Sequence, residues 1–123
     1  MTAPKILFLQ QEDVIAAGIL DMAQTLKDVE QALAMLGRGE IKNPPKTSLM
    51  LYNKDGSWRS MLNCMPVYIG GSVDRPGVKW ASESALNIKT QELPMGIDIL
   101  ILSDPNTVLP VAIMDATLIT AMR

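Results

Sequence analysis

From Val14 the apolar positions Ile15, Ile19, Met22, Leu26, Val29, Leu33 and Leu36 recur at alternating steps of four and three, which places them on one helical stripe. Gly18 interrupts the stripe, and Asp21 followed three residues later by Gln24 has the form of a capping box. The spacing therefore predicts a short helix, a break, and a longer helix from about Met22 to Leu36, stopped by Gly37 and Gly39. Ahead of it, the apolar run Ile6 to Leu9 is too short for a helix and reads as a buried strand.

Beyond the helices the pattern changes to strands and turns. Pro44 and Pro45 forbid helix, and Thr47 to Tyr52 alternate loosely as a strand. Asp55-Gly56 is a hairpin turn, Trp58 to Tyr68 the returning strand, and Gly70-Gly71 its end. Arg75-Pro76-Gly77 reads as a further turn before a short strand from Val78 to Ser82. The polar stretch from Glu83 to Glu92 reads as a loop, long enough to suggest a role. Ile97 to Leu102 are apolar except at Asp98, Asp104-Pro105-Asn106 has turn chemistry, and Pro110 to Met114 run apolar again, which makes a second hairpin. Ala116 to Arg123 alternates poorly as a strand and suits the start of a helix. The order predicts an α+β fold: a mostly antiparallel sheet of about six strands with helices packed on one face.

A chain of 123 residues and 13.4 kDa supports one compact domain, residues 1–123, burying roughly two-thirds of its unfolded surface. Lys and Arg number 11 and Asp and Glu 13; they split seven against seven up to Leu62 and four against six after it, so no basic face is offered to nucleic acid. The absence of long apolar runs argues against a membrane partner, and a single cysteine points to the cytoplasm. With no histidine, Ser-His-Asp and Cys-His arrangements and histidine metal sites are excluded from these residues. No GxGxxG or P-loop is present either.

Most polar and sulfur residues invite structural explanations. The nine methionines suit core packing, Cys64 in its apolar strand suits a buried inert thiol, and Asp98, Asp104 and Asp115 suit solvated or capping roles. No metal site is expected. Lys79, between Val78 and Trp80, is the residue that a plain surface role explains least well.

Several stretches in order carry a family resemblance: Gly37-Arg38-Gly39-Glu40, Asn43-Pro44-Pro45-Lys46, Met65-Pro66 with Gly70-Gly71, and Gly77-Val78-Lys79-Trp80. They continue with Leu102-Ser103-Asp104-Pro105, then Pro110 through Asp115 to Ile119-Thr120-Ala121-Met122-Arg123. Together they resemble the amino-terminal portion of the ornithine cyclodeaminase and mu-crystallin family, across nearly the whole chain.

The resemblance implies a substrate-binding and dimerisation domain, a small amino-acid substrate, and a homodimer built through the sheet. In the family a Rossmann domain that binds NAD follows. That domain has no counterpart among these residues, so the chain reads as truncated before it or as a stand-alone relic. No catalytic residue is then expected within the chain, and NAD is not expected to bind to it alone. The resemblance assigns Lys46, Lys79 and Arg123 to the substrate α-carboxylate, and Arg123 also to the cofactor; a charge-assisted grip on the carboxylate aligns Cα for hydride transfer. Lys46 stands where arginine is common and gives up bidentate recognition. A family threonine near Pro94 to Gly96 is missing, and the usual Thr-Gly is here Thr107-Val108. The implied reaction is that of an ornithine cyclodeaminase, a lyase forming proline, or of a related dehydrogenase or imine reductase. A non-catalytic ligand-binding or assembly module is the alternative. Gathered lysines are expected to attract an anion, and Lys79→Met is expected to spare the fold.

Overall fold

The computed structural model describes residues 4–90 and 92–123. In chain order the elements are β1 (Leu7–Leu9), α1 (Gln11–Ala16), α2 (Met22–Gly37), β2 (Ile41–Lys42), β3 (Thr47–Tyr52), β4 (Trp58–Ile69) and β5 (Arg75–Ser84). They continue with α3 (Ala85–Thr90), β6 (Gly96–Ser103), β7 (Pro110–Asp115) and α4 (Thr117–Met122). One seven-stranded sheet runs β1-β7-β6-β5-β4-β2, with β3 also paired to β4. Its pairings are antiparallel except β1 with β7, which is parallel.

The α+β expectation holds, with seven strands in place of about six. The additional strand, β2, is two residues long and leaves no periodic trace in the sequence; it is fixed by a close approach. Gly70 N–H donates to Glu40 O at 2.9 Å, and a Cβ at Gly70 would lie 2.7 Å from that same oxygen.

Two local assignments are corrected. Arg75-Pro76-Gly77 is not a turn but the start of β5; the reversal lies earlier, where Gly71 and Asp74 take positive φ of 55° and 41°. Pro76 is tolerated because pairing with β6 begins only at Gly77, so no ladder bond on that side needs its missing N–H. Glu83–Glu92 is not a plain loop: β5 runs through Ser84 and α3 follows, with Gln91 outside the described residues. α3 buries none of its residues, and so had no apolar stripe to announce it.

The break at Gly18 and the Asp21 cap are as expected, the Asp21 side chain accepting from Gln24 N–H at 3.0 Å. The stripe itself does not face the sheet. Met22, Leu26, Leu33 and Leu36 are exposed, while Met35 is buried and Val29 half-buried.

Register defines the two faces, because partners in adjacent strands point to the same side. Asn63, Ala81 and Asp98 form one row, and Met65, Lys79, Leu100, Met114 and Leu9 the next. α4 lies over this face, with Thr120 bonded to Asp98 and Lys79. Leu9 and Met114 also line one groove with Val14 of α1, Thr25 of α2 and Ile119 of α4. The opposite face is apolar and open: Phe8, Leu49, Trp80 and Ile99 are all exposed. Cys64, in the same row as Trp80 and Ile99, is therefore half-buried rather than sealed in a core. Among the described residues the buried apolar ones are Val14, Met35, Ala81, Ala112 and Ala116, a small core in which only Met35 is large. No described helix is long and apolar enough to cross a membrane.

Candidate functional site

Asp98 is the anchor of the site. It interrupts an apolar strand and is 4% exposed, so its charge requires a partner. The partner is Lys79 on the neighbouring strand, whose Nζ donates to Asp98 Oδ2 at 3.2 Å and to Thr120 Oγ1 at 3.0 Å. The Thr120 hydroxyl in turn donates to Asp98 Oδ2.

The same aspartate fixes the start of α4 through its backbone. Ala116 N–H donates to Asp98 O at 2.9 Å, and Asp98 N–H donates to Thr117 Oγ1 at 3.2 Å. Asp115 receives Thr117 N–H and its hydroxyl, a local cap of the expected kind. Asp104 likewise closes its turn by accepting from Asn106 and Thr107. Its carboxyl is held below the usual range, first by the Thr107 backbone N–H and then by the Thr107 hydroxyl.

Beside the Lys79–Asp98 pair lies a cleft of about 270 Å³ whose lining includes Lys46, Asn63, Lys79, Glu83, Thr120 and Arg123. The fold thus brings all three sequence-predicted residues to one cavity. Lys46 comes from the segment before β3, Lys79 from β5 and Arg123 from the end of α4. Lys46 and Arg123 are exposed, while the Lys79 side chain keeps 15% exposure. Two hydrogen bonds leave one of the three Lys79 ammonium N–H groups for a ligand.

Two expectations about the site need correction. Asp98 is neither solvated nor a side-chain cap, because strand pairing carries it into the sheet's covered face beside Lys79. The cleft is also not a gathering of like charges alone: Asp98 neutralises Lys79, and Glu83 adds a second carboxylate. Both corrections had a trace in the sequence, a lone acid and a lone base in adjacent apolar strands. Asn63 left less trace, although it is 3% exposed and lines the cleft.

Among the described residues, the strand-to-helix junctions at Gln10, Ser84-Ala85 and Ala116 carry no glycine-rich turn of the kind that cradles a pyrophosphate.

The site is thus a cleft in an α+β sheet domain, lined by three cationic side chains and two carboxylates beneath a short helix. Residues 5–123 match the ornithine cyclodeaminase/mu-crystallin family, and the chain belongs to it. It is 28% identical over 119 residues to the N-((2S)-2-amino-2-carboxyethyl)-L-glutamate dehydrogenase of Staphylococcus aureus, which covers 97% of this chain and 35% of that protein. Its fold matches the Thermococcus litoralis Δ(1)-pyrroline-2-carboxylate reductase, solved with NADH and L-proline. The TM-score is 0.80 at 29% identity, over 95% of this chain and 34% of the reductase. An archaeal alanine dehydrogenase dimer with bound NAD matches at a TM-score of 0.77 and 30% identity, over 96% of this chain and 33% of that one. The chain spans about a third of the length of these relatives.

Proposed function

We propose that this chain is the substrate-carboxylate-binding and dimerisation part of a cytoplasmic, NAD-dependent amino-acid dehydrogenase or imine reductase. Lys46, Lys79 and Arg123 hold the ligand's α-carboxylate, and NAD belongs to a portion of the enzyme outside these residues. Arg123's contact with NAD is part of that complete arrangement. The observation that carries the reading is the convergence of the three cations on one cleft, with the Lys79 ammonium immobilised by Asp98 and Thr120. A fixed ammonium orients a carboxylate in a way that a free surface lysine cannot. Dehydrogenase and reductase activities are favoured over ornithine cyclisation. The relatives above bear those names, and Lys46 lacks the planar fork of arginine.

Titration of the isotopically labelled chain with glycine tests the reading by NMR. Amide shifts are expected to cluster around Lys46, Lys79 and Arg123 and to vanish in Lys46→Ala, while NAD gives none. Glycine shifts scattered elsewhere, or saturable NAD binding, overturn it.

A further inference from the structure

The cleft contains a buried polar group that the carboxylate grip does not use. Asn63 sits in the row Asn63–Ala81–Asp98, and its Oδ1 accepts from the Ser48 hydroxyl at 2.6 Å. Its Nδ2 has no acceptor among the described residues. Yet no described side-chain polar atom is both sealed from solvent and unpaired, so the amide nitrogen opens onto the cleft that Asn63 lines. The neighbouring floor residue, Ala81, has no side chain beyond Cβ to fill the space above it. Across the row, Asp98 Oδ2 is already engaged by Lys79 and Thr120.

We propose that Asn63 is a specificity-determining residue. Its Nδ2 donates to an acceptor oxygen on the ligand's side chain, so the cleft selects amino acids ending in a neutral carbonyl or carboxamide over those ending in an ammonium. This deepens the carboxylate reading and rests on it. An ammonium carries only donors, so opposite Nδ2 it leaves N–H groups of both partners unpaired away from water. A carbonyl oxygen satisfies the amide directly. Glu83, on the same face two residues beyond Ala81, opposes an anionic side-chain end, which leaves the uncharged acceptor as the best match. Glu83 is half-exposed, so solvent screens its charge toward either sign of ligand, whereas Asn63 lies at the buried floor.

The test uses the whole chain and four probes: glycine, L-norvaline, L-glutamine and L-ornithine. The wild type is expected to bind L-glutamine about tenfold or more tightly than L-norvaline or L-ornithine. Asn63→Asp keeps the shape and the acceptor for Ser48 while replacing the donor. It should abolish the preference for L-glutamine and bring L-ornithine above it. The paired variant Ser48→Ala with Asn63→Leu removes both hydrogen-bond partners and guards against a fold defect in the first; it should level L-glutamine with L-norvaline. Glycine should bind all three proteins alike, within about twofold. A wild type that does not prefer L-glutamine, or a preference surviving either substitution, overturns the role of Asn63 while glycine binding leaves the carboxylate reading standing. Failure of glycine itself to bind overturns both.

Discussion

The Lys79 ammonium and the Asp98 carboxylate lie 3.2 Å apart with side chains 15% and 6% exposed, so each makes the other's burial tolerable. Breaking such a pair from one side leaves an uncompensated charge, which costs about 3–5 kcal/mol. Lys79→Met is therefore expected to destabilise the fold, even though it keeps the strand's apolar stem. Removing both charges avoids the orphan. Denaturant unfolding is expected to show Lys79→Met destabilised by about 3 kcal/mol and Lys79→Met with Asp98→Asn recovering at least about 1 kcal/mol of that loss. Simple additivity of the two substitutions counts against the pair as the organiser of the cleft.

Much of the fold follows from periodicity, and the departures have physical causes. The hairpin at Asp55-Gly56 and the strands on either side of it carry their own turn and alternation signals. The sequence points to a reversal at Pro76-Gly77, which has turn chemistry, whereas the positive φ that makes the reversal falls on Gly71 and Asp74. The stripe of α2 was legible as a helix but not as an outward-facing one, since periodicity gives a face and no partner. At the site, the resemblance supplied Lys46, Lys79 and Arg123. Asp98 and Asn63 owe their place to strand register, which brings each beside Ala81 from a different strand.

The open face of the sheet gives a second prediction. Phe8, Leu49, Trp80 and Ile99 are 67%, 54%, 43% and 42% exposed, an apolar surface that a second copy of the chain would remove from water. Sedimentation equilibrium at micromolar concentration is expected to give about twice 13.4 kDa. Trp80→Glu should return the chain to a monomer without loss of far-ultraviolet circular dichroism. A Trp80→Glu dimer would place the interface elsewhere.

The Tyr68 hydroxyl donates to Asp74 Oδ1 at 2.6 Å, and this hydrogen bond, with lesser help from burial and the carboxylate's charge, raises the phenol's pKa. Because the folded value exceeds the unfolded one, the pair's stabilisation is complete below about pH 10 and is lost as pH rises through the folded pKa. In a Tyr52→Phe background, tyrosinate absorbance should report Tyr68 alone. Asp74→Asn should move that transition to lower pH, and asparagine suits the left-handed backbone already present there. An unmoved transition would mean that the hydrogen bond does not persist in solution.

Val108 occupies φ 54° in the turn between β6 and β7, a left-handed conformation that favours glycine. A β-branched side chain in the left-handed region crowds its own carbonyl, at a cost of roughly 1–2 kcal/mol. Val108 is 73% exposed, so its side chain recovers little of that cost through packing. The turn is otherwise well tied: Val108 N–H donates to Asp104 O at 3.0 Å, and Asp104 N–H to Leu109 O at 2.9 Å. Val108→Gly relieves the crowding but adds backbone freedom to the unfolded chain, which returns part of the gain. The net expectation is a stabilisation of about 0.5–1 kcal/mol, seen as a higher denaturation midpoint at unchanged slope. Val108→Ala keeps a Cβ and should gain less than the glycine. If Val108→Gly instead lowers the midpoint, the valine is not strained at this turn.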